Sequence, residues 1–236
     1  MPEDALLQVR DLHVELAGRE ILSGASFEIR PGTIAGLFGD SGCGKSTLAL
    51  ALLGLLSPAQ YRVRGEILWR GRNLLQLSER EWTAVRGAGI SLIFQDPLLA
   101  LNPVLSVRTQ IAEILRAHQA AGDPAALLKL AGLDGSPRIL DSYPHQLSGG
   151  ERQRVTIAQA LACRPPLIIA DEPFTALDAP RVVELVALFR RLRADLGTSF
   201  LLISHSPGVL AAAADELFRL RQGKLEAAQL TGARDR

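Results

Sequence analysis

The glycine-rich segment at residues 39–46 constrains the fold of this chain more than any other feature of its sequence. It reads GDSGCGKS and fits the pattern G-x-x-x-x-G-K-[ST]. Residues 33–38 before it form a short apolar run typical of a buried strand, and residues 45–56 after it have the pattern of a buried helix. The segment therefore predicts a strand, a phosphate-binding loop and a helix in direct succession.

This loop has the chemistry of a triphosphate site. Glycines let the backbone bend so that several N–H groups point into one concavity, and the helix N-terminus adds about half a positive charge. Lys45 adds a full positive charge. A turn-rich loop that matches the pattern by chance is the alternative, and the flanking strand and helix argue against it. The predicted nucleotide-binding residues here are Gly39, Asp40, Ser41, Gly42, Cys43, Gly44, Lys45, Ser46 and Thr47.

Two adjacent carboxylates, Asp171 and Glu172, follow the apolar run 167–170. A parallel sheet places the carboxyl end of such a strand beside the phosphate loop, where Asp171 and Ser46 can together hold Mg²⁺. Because adjacent strand residues point in opposite directions, Glu172 can leave the metal and accept a proton from attacking water. Glu172 is therefore the predicted general base. A solvated turn at the strand end is the alternative, and the phosphate loop in the same chain argues against it.

Composition and charge exclude several other classes of protein. Apolar residues make up 47% and charged residues 22% of the 236 residues, which is typical of globular domains. The formal net charge of +1 provides no net field that would draw the protein to nucleic acid or anionic lipid, so a basic nucleic-acid binder is disfavoured. The apolar run 48–56 is far shorter than the ~20 residues of a membrane-spanning helix. With an acidic N-terminus and no secretory signal, the chain is expected to stay inside the cell, and its two cysteines predict neither a disulfide framework nor a zinc site.

The order of hydrophobic patterns indicates an α/β protein. Alternating residues over 6–29 and 61–69 predict antiparallel strands near the N-terminus, and residues 90–94 predict a further strand. Between 96 and 164 the strand patterns stop and helical ones replace them. Strand and helix patterns alternate again up to the predicted closing strand near 217–220. We therefore expect a mainly parallel sheet interrupted by a helical insert.

One further motif makes the chain resemble a known family. LSGG at 147–150 opens a predicted helix with a serine cap and two glycines, and Ser204-His205 follows a predicted strand. In the order phosphate loop, LSGG, carboxylate strand and histidine, residues 5–225 resemble the ATP-binding subunit of ABC transporters. The resemblance implies a P-loop NTPase core with a mainly parallel sheet, an N-terminal antiparallel β-subdomain and an inserted α-helical subdomain. Residues 1–236 are then one domain, with 1–95 and 165–236 as the core and 96–164 as the insert.

The resemblance also implies roles for individual residues, with ATP and Mg²⁺ as cofactors. Gln95 matches a glutamine that reaches Mg²⁺ or the attacking water, and His205 matches a histidine that contacts the γ-phosphate. Asp178 matches a loop that crosses a dimer seam. Ser148, Gly149 and Gly150 match a signature that closes over ATP held by a second subunit.

The partners implied in the same way are transmembrane permease subunits and a second ATP-binding subunit, identical or a sibling. An extracytoplasmic solute-binding protein is an indirect partner. The expected location is peripheral, at the cytoplasmic face of the inner membrane, and no nucleic acid is expected.

Within the family, residues 94–97 (FQDP), 101–103 (LNP) and 143–144 (YP) are similar to importers of peptides or nickel. The chain ends soon after Gly223, whereas peptide members commonly continue, so a shorter, metal-type member is also expected. Leu16 stands where an aromatic ring usually stacks on adenine, which predicts weak discrimination among nucleoside triphosphates. Glu151 replaces a common Gln, Phe174 a usual Thr, and Ser206 a common Asp.

Two other functions fit parts of this pattern. A soluble phosphotransferase could use the same phosphate loop, but it has no need of LSGG. A non-transport ABC protein acting on ribosomes or DNA is a second alternative. The stretch between Lys45 and Asp171 is too short for a long coiled-coil arm, and the near-neutral charge gives no nucleic-acid footprint.

Overall fold

A computed structural model of the chain describes residues 5–228, which form two sheets with helices packed around them. The first sheet has four antiparallel strands in the order β2-β1-β4-β5. Their bounds are β1 Leu7–Leu16, β2 Arg19–Ile29, β4 Tyr61–Trp69 and β5 Arg72–Asn73. The predicted antiparallel strands near the N-terminus are confirmed.

The second sheet has six strands in the order β10-β9-β3-β8-β7-β6. Its bounds are β3 Ile34–Phe38, β6 Ile90–Ile93, β7 Leu167–Asp171, β8 Ser199–Ser204, β9 Glu216–Arg221 and β10 Lys224–Ala228. Strands β6, β7, β8, β3 and β9 are parallel, and only β10 is antiparallel to its neighbour. The carboxyl ends of β6, β7, β8 and β3 therefore lie along one edge, and each leads into a segment with predicted chemistry.

Nine α-helices belong to the described part of the chain. They are α1 Lys45–Leu52, α2 Glu79–Val85, α3 Pro97–Ala100, α4 Val107–Ala117, α5 Pro124–Leu130, α6 Pro137–Asp141, α7 Gly149–Leu161, α8 Ala179–Leu196 and α9 Pro207–Ala213. Helices α3 to α7 lie between β6 and β7 in the chain, so the helical insert is confirmed. Among residues 5–228 no helix combines the length and the apolar character that crossing a membrane requires.

The larger sheet is buried on both faces. Alternate residues of its central strands enter two apolar cores, with Ile34 and Ile168 on one side and Leu37 and Ile169 on the other. The first core includes residues of α7, α8 and α9, and the second includes α1 and the antiparallel sheet. This two-sided burial explains why β3, β7 and β8 are continuously apolar in sequence.

Element boundaries differ from the predictions in two places. Helix α1 ends at Leu52 rather than near residue 56, because Gly54 takes a φ of +60° and packs against the indole ring of Trp82. The predicted closing strand is a hairpin, β9 and β10, joined by Gln222 and Gly223, both with positive φ. The fold class predicted from the sequence is confirmed.

Candidate functional site

The phosphate loop leaves the carboxyl end of β3 and enters α1 at Lys45. A side chain at Gly39 would place its Cβ 2.3 Å from the carbonyl oxygen of Leu220, so only glycine fits at the start of the loop. Gly44 has a φ of +107° and precedes α1 without a side-chain cap. The first N–H groups of α1 therefore have no side-chain acceptor from this cap, and an anion can take its place.

Lys45, the first residue of α1, is only 7% exposed. Its ammonium group donates to the carbonyl oxygens of Gly39, at 2.9 Å, and Asp40, at 3.1 Å. The same nitrogen lies 3.8 Å from the carboxylate of Glu172. A buried cation thus stands between the phosphate loop and the predicted general base.

Asp171 is the last residue of β7, and its side chain lies near that of Ser46, the second residue of α1. Burial raises the pKa of Asp171 above its ordinary value. Its Oδ1 atom is buried and has no hydrogen-bond partner. Hard oxygen ligands of this kind suit Mg²⁺, which keeps several waters or phosphate oxygens in its coordination shell. Asp171 and Ser46 therefore fit the metal that the sequence predicts.

No cluster of three or more His, Cys, Asp or Glu side chains within residues 5–228 has the arrangement of a metal site.

Glu172 follows the end of β7 with a φ of +49° and is 8% exposed. Its Oε2 accepts a hydrogen bond from Nδ1 of His205 at 2.9 Å and one from the backbone N–H of His205 at 3.3 Å. Thr175, which sequence reasoning missed, places its hydroxyl 3.5 Å from the same oxygen. Lys45, Asp171, Ser46, Glu172 and His205 thus form one connected group beside the phosphate loop.

A cavity of about 540 Å³ adjoins this group. Gln95, which follows β6, lines one wall, and Gly149 and Gly150 at the start of α7 line another. Glu172 is also a lining residue. The structure therefore brings Gln95 and the signature glycines to the same space as the predicted base.

The first turn of α7 is open. Ser148 caps it: its hydroxyl accepts from the N–H of Glu151 at 3.2 Å, and the Glu151 carboxylate accepts from the N–H of Ser148 at 2.8 Å. A Cβ added at Gly149 or Gly150 would meet no atom within 4 Å. Bare glycines at a helix N-terminus leave room for an anion to approach the backbone.

Two predicted residues cap helices of their own chain. Asp178 caps α8 by accepting from the N–H of Arg181 at 3.0 Å. Within residues 5–228, neither Asp178 nor Ser148 forms a hydrogen bond with residues 39–47. Their predicted roles both involve a second subunit.

Two further contacts at the site had no signal in the sequence. Gln153 on α7 donates its side-chain N–H to the carbonyl oxygen of Pro173, which ties the signature helix to the segment after Glu172. Arg138 on α6 forms an ion pair with Glu151. Both pairs join residues that are distant in sequence.

The phosphate loop follows β3, the carboxylates of Asp171 and Glu172 lie at the end of β7, and His205 follows β8, the strand between these two. Together they define a P-loop nucleotide hydrolase. Comparison with known proteins identifies the family within this class. Residues 22–175 match the ABC transporter family, and this chain belongs to that family as an ATP-hydrolysing, ATP-binding subunit.

Relatives and solved structures agree with this assignment. A probable peptide ABC transporter ATP-binding protein, y4tR, of Sinorhizobium fredii is 42% identical over 94% of this chain and 70% of its own length. The dipeptide transport ATP-binding protein DppD of Bacillus subtilis is 40% identical, with the same coverage of each chain. A dimeric, post-hydrolysis structure of the ATP-binding cassette MJ0796 with ADP and Pi has a TM-score of 0.81 and 26% identity, covering 96% of this chain and all of that one.

Proposed function

We propose that this subunit energises an importer of peptides by binding ATP at residues 39–47 and hydrolysing it with Glu172 as the general base. The observation that carries the proposal is the connected group of Lys45, Glu172 and His205 beside the phosphate loop. A base, a cation and a hydrogen-bond donor are the groups that phosphoryl transfer to water requires.

Binding of the triphosphate replaces contacts that the free protein makes within itself. Lys45 exchanges the carbonyl oxygens of Gly39 and Asp40 for phosphate oxygens, which are stronger acceptors because they are charged. The N–H groups at the start of α1 take up the remaining phosphate charge. Ser46 and Asp171 would hold Mg²⁺, with Gln95 as a further ligand, and the ion would neutralise charge on the phosphates.

Glu172 then accepts the proton of the attacking water. His205 holds the carboxylate of Glu172 from one side, and its own side chain is 64% exposed, so it can also reach a phosphate oxygen. Gln95 borders the cavity beside Glu172 and would position the attacking water there. In this proposed mechanism the chain has two parts. The helical insert, residues 96–164, moves relative to the core, residues 1–95 and 165–236.

A second ATP-binding subunit completes the site. Ser148, Gly149 and Gly150 of one subunit cover the ATP held by the other, and Asp178 lies at the seam. The open space at Gly149 and Gly150 supports this, because within residues 5–228 no atom lies within 4 Å of a Cβ added at either glycine. The solved dimer of MJ0796 supports pairing of two such cassettes. An identical copy and a sibling are both compatible with this arrangement.

Transmembrane permease subunits are the proposed membrane partners, with a solute-binding protein acting through them. Exposed apolar side chains flank Gln95, where the core meets the insert: Phe94, Leu98, Leu99 and Val104, of which Leu99 is 87% exposed. An apolar patch of this kind is typical of a protein interface. Docking there would hold the subunit peripherally at the cytoplasmic face of the inner membrane.

Peptides are the proposed cargo because the relatives named above are a probable peptide and a dipeptide transport protein. An oligopeptide transport protein, OppD of Bacillus subtilis, is also 40% identical over 93% of this chain, although this chain covers only 64% of its length. Nickel, the other cargo suggested by the sequence, is named for none of these three.

Substitution of Ser148 distinguishes this proposal from a single-chain phosphotransferase. Ser148→Arg places a bulky cation at the open turn of α7, so ATP hydrolysis by the assembled complex should fall at least 100-fold. Binding of ATP to the phosphate loop should persist. Ser57→Arg, at an exposed position outside α7, is the matched control and should hydrolyse ATP like the parent. Undiminished turnover by Ser148→Arg would contradict the two-subunit site.

A further inference from the structure

Glu151 puts a carboxylate at the proposed phosphate contact. It is the third residue of α7, and its Oε2 accepts from the backbone N–H of Ser148 at 2.8 Å. Its pKa is lowered, chiefly by a hydrogen bond from Arg138 and then by the N–H of Ser148, so the group is ionised at neutral pH. A full negative charge thus lies one hydrogen bond away from the residue proposed to meet a phosphate.

An isolated charge at this place would oppose phosphate binding. Two like charges several ångströms apart repel each other, and the repulsion is stronger near a protein surface than in bulk water. The N-terminal dipole of α7 carries only about half a positive charge, which one carboxylate more than cancels. The helix N-terminus can serve as an anion site only if this carboxylate is balanced.

Arg138 supplies the balance. Its guanidinium lies on α6, and Nη2 is 2.5 Å from Oε1 of Glu151, the oxygen that does not face Ser148. Each carboxylate oxygen therefore has its own donor, and the group has a fixed orientation. Arg138 itself is largely exposed, whereas Glu151 is largely covered. The ion pair of Arg138 and Glu151 therefore adds little to the stability of the folded protein, because exposed ion pairs stabilise proteins only weakly.

We propose that Arg138 is a positioning residue that neutralises Glu151, so that the first turn of α7 can accept a phosphate group. The proposal rests on the proposed function of residues 148–150.

A titration of backbone amides tests this proposal without requiring the second subunit. The full chain is labelled with ¹⁵N-glycine, and inorganic tripolyphosphate is added while the amide signals of Gly149 and Gly150 are followed. Arg138→Met should weaken binding at these two amides by about three- to tenfold. The double variant Arg138→Met with Glu151→Gln should bind like the parent, because both charges are then absent.

The matched control is Arg108→Met. Arg108 also forms an exposed pair on the insert, donating two hydrogen bonds to Asp141 at 2.9 and 2.8 Å, but it does not contact α7 through them. This variant should leave the titration of Gly149 and Gly150 unchanged. The loss caused by Arg138→Met should also shrink at high salt, since an exposed charge is screened.

Three results would overturn the proposal. They are an unchanged titration in Arg138→Met, a double variant as weak as Arg138→Met alone, and no response of Gly149 and Gly150 in the parent. The second result would mean that Arg138 attracts the anion by its own charge. Signals of Gly42 and Gly44 report the phosphate loop separately, so failure of the proposed ATP site is distinguishable from failure of this inference.

Discussion

His205 and Glu172 are joined by a hydrogen bond of 2.9 Å between Nδ1 of the imidazole and Oε2 of the carboxylate. The two residues follow neighbouring strands, β7 and β8, whose parallel register pairs Asp171 with Ile203. The backbone N–H of His205 donates to the same oxygen at 3.3 Å. The carboxylate thus has a defined position before any nucleotide arrives, with its other oxygen 3.8 Å from the ammonium group of Lys45.

The first prediction concerns Glu172→Gln. The amide keeps an oxygen that can accept from His205, but it cannot take a proton from water. We expect kcat for ATP hydrolysis by the assembled complex to fall at least 100-fold, the usual contribution of a general base, while the Kd for ATP stays within about threefold. Steady-state kinetics and equilibrium binding of a fluorescent ATP analogue measure the two quantities.

Glu184→Gln is the control, since Glu184 lies on an exposed face of α8 and only approaches Arg154 at 3.9 Å. It should match the parent in both measurements. A Glu172→Gln variant with parental kcat would show that another group takes the proton.

The second prediction follows from the raised pKa of Asp171. A group whose pKa is raised on folding stabilises the folded state below its unfolded pKa, and this contribution is lost as the pH rises through the folded pKa. At pH 7.5 without metal, the folded protein therefore carries the cost of an ionised buried carboxylate. Asp171→Asn removes that cost and keeps a side chain of nearly the same size.

Thermal unfolding in EDTA should show Asp171→Asn melting about 2 °C above the parent at pH 7.5, with a smaller difference near pH 4. Addition of MgATP should raise the Tm of the parent more than that of the variant, because Asn is a poorer magnesium ligand. Asp195→Asn, an exposed change on α8, serves as the control. A loss of stability at pH 7.5 would contradict the assigned burial cost.

Local patterns made the phosphate loop and the strands around it predictable. Residues 39–46 need only their own backbone freedom and the adjoining β3 and α1 to form the loop. Strands β3, β7 and β8 could be recognised in the sequence because burial on both faces makes them continuously apolar.

Contacts between distant segments were not predictable in the same way. The bond from His205 to Glu172 depends on the register of β7 and β8. The sequence predicted Glu172 as the general base, away from the metal, but it did not predict this contact. The positive φ of Glu172 turns the side chain toward Lys45 after the strand has ended. The ion pair of Arg138 and Glu151 depends on how α6 packs beside α7. The hydrophobic periodicity of the sequence does not predict this packing.

The third prediction concerns Leu16, the last residue of β1, which stands opposite Tyr61 of β4. The resemblance places an adenine-stacking ring at this position, and an aliphatic side chain lacks the face that stacks. We expect GTP to compete with ATP almost equally in the parent. Leu16→Phe should strengthen ATP binding by about fivefold, since a stacked aromatic pair contributes roughly 1 kcal/mol.

Competition binding with GTP and ATP measures both effects. Tyr61→Ala is the companion variant, because cross-strand neighbours share one face of the sheet and the tyrosine could supply the missing ring. If the parent strongly prefers ATP and Tyr61→Ala abolishes that preference, the stacking residue is Tyr61. A strong preference that survives Tyr61→Ala would contradict the placement of adenine at this end of β1.

The last prediction concerns the stability of the insert. Gln110 on α4 is 6% exposed, and all the hydrogen-bonding capacity of its amide is used. Its NH₂ group donates to the carbonyl oxygens of Asn102, at 3.0 Å, and Leu105, at 2.9 Å. Its oxygen accepts from the N–H of Asn102 at 3.0 Å and from the side chain of Gln159 at 3.2 Å. One side chain thus fastens the loop after α3 to both α4 and α7.

Gln110→Leu keeps the apolar volume but leaves several of these polar groups buried without partners. We expect the free energy of unfolding to fall by about 3 kcal/mol, because each buried polar group left unpaired costs about 1–3 kcal/mol. Urea denaturation followed by circular dichroism measures the change. Gln76→Leu, at an exposed position outside the insert, should alter stability by less than about 0.5 kcal/mol. Equal stability of the two variants would mean that water satisfies the loop as well as Gln110 does.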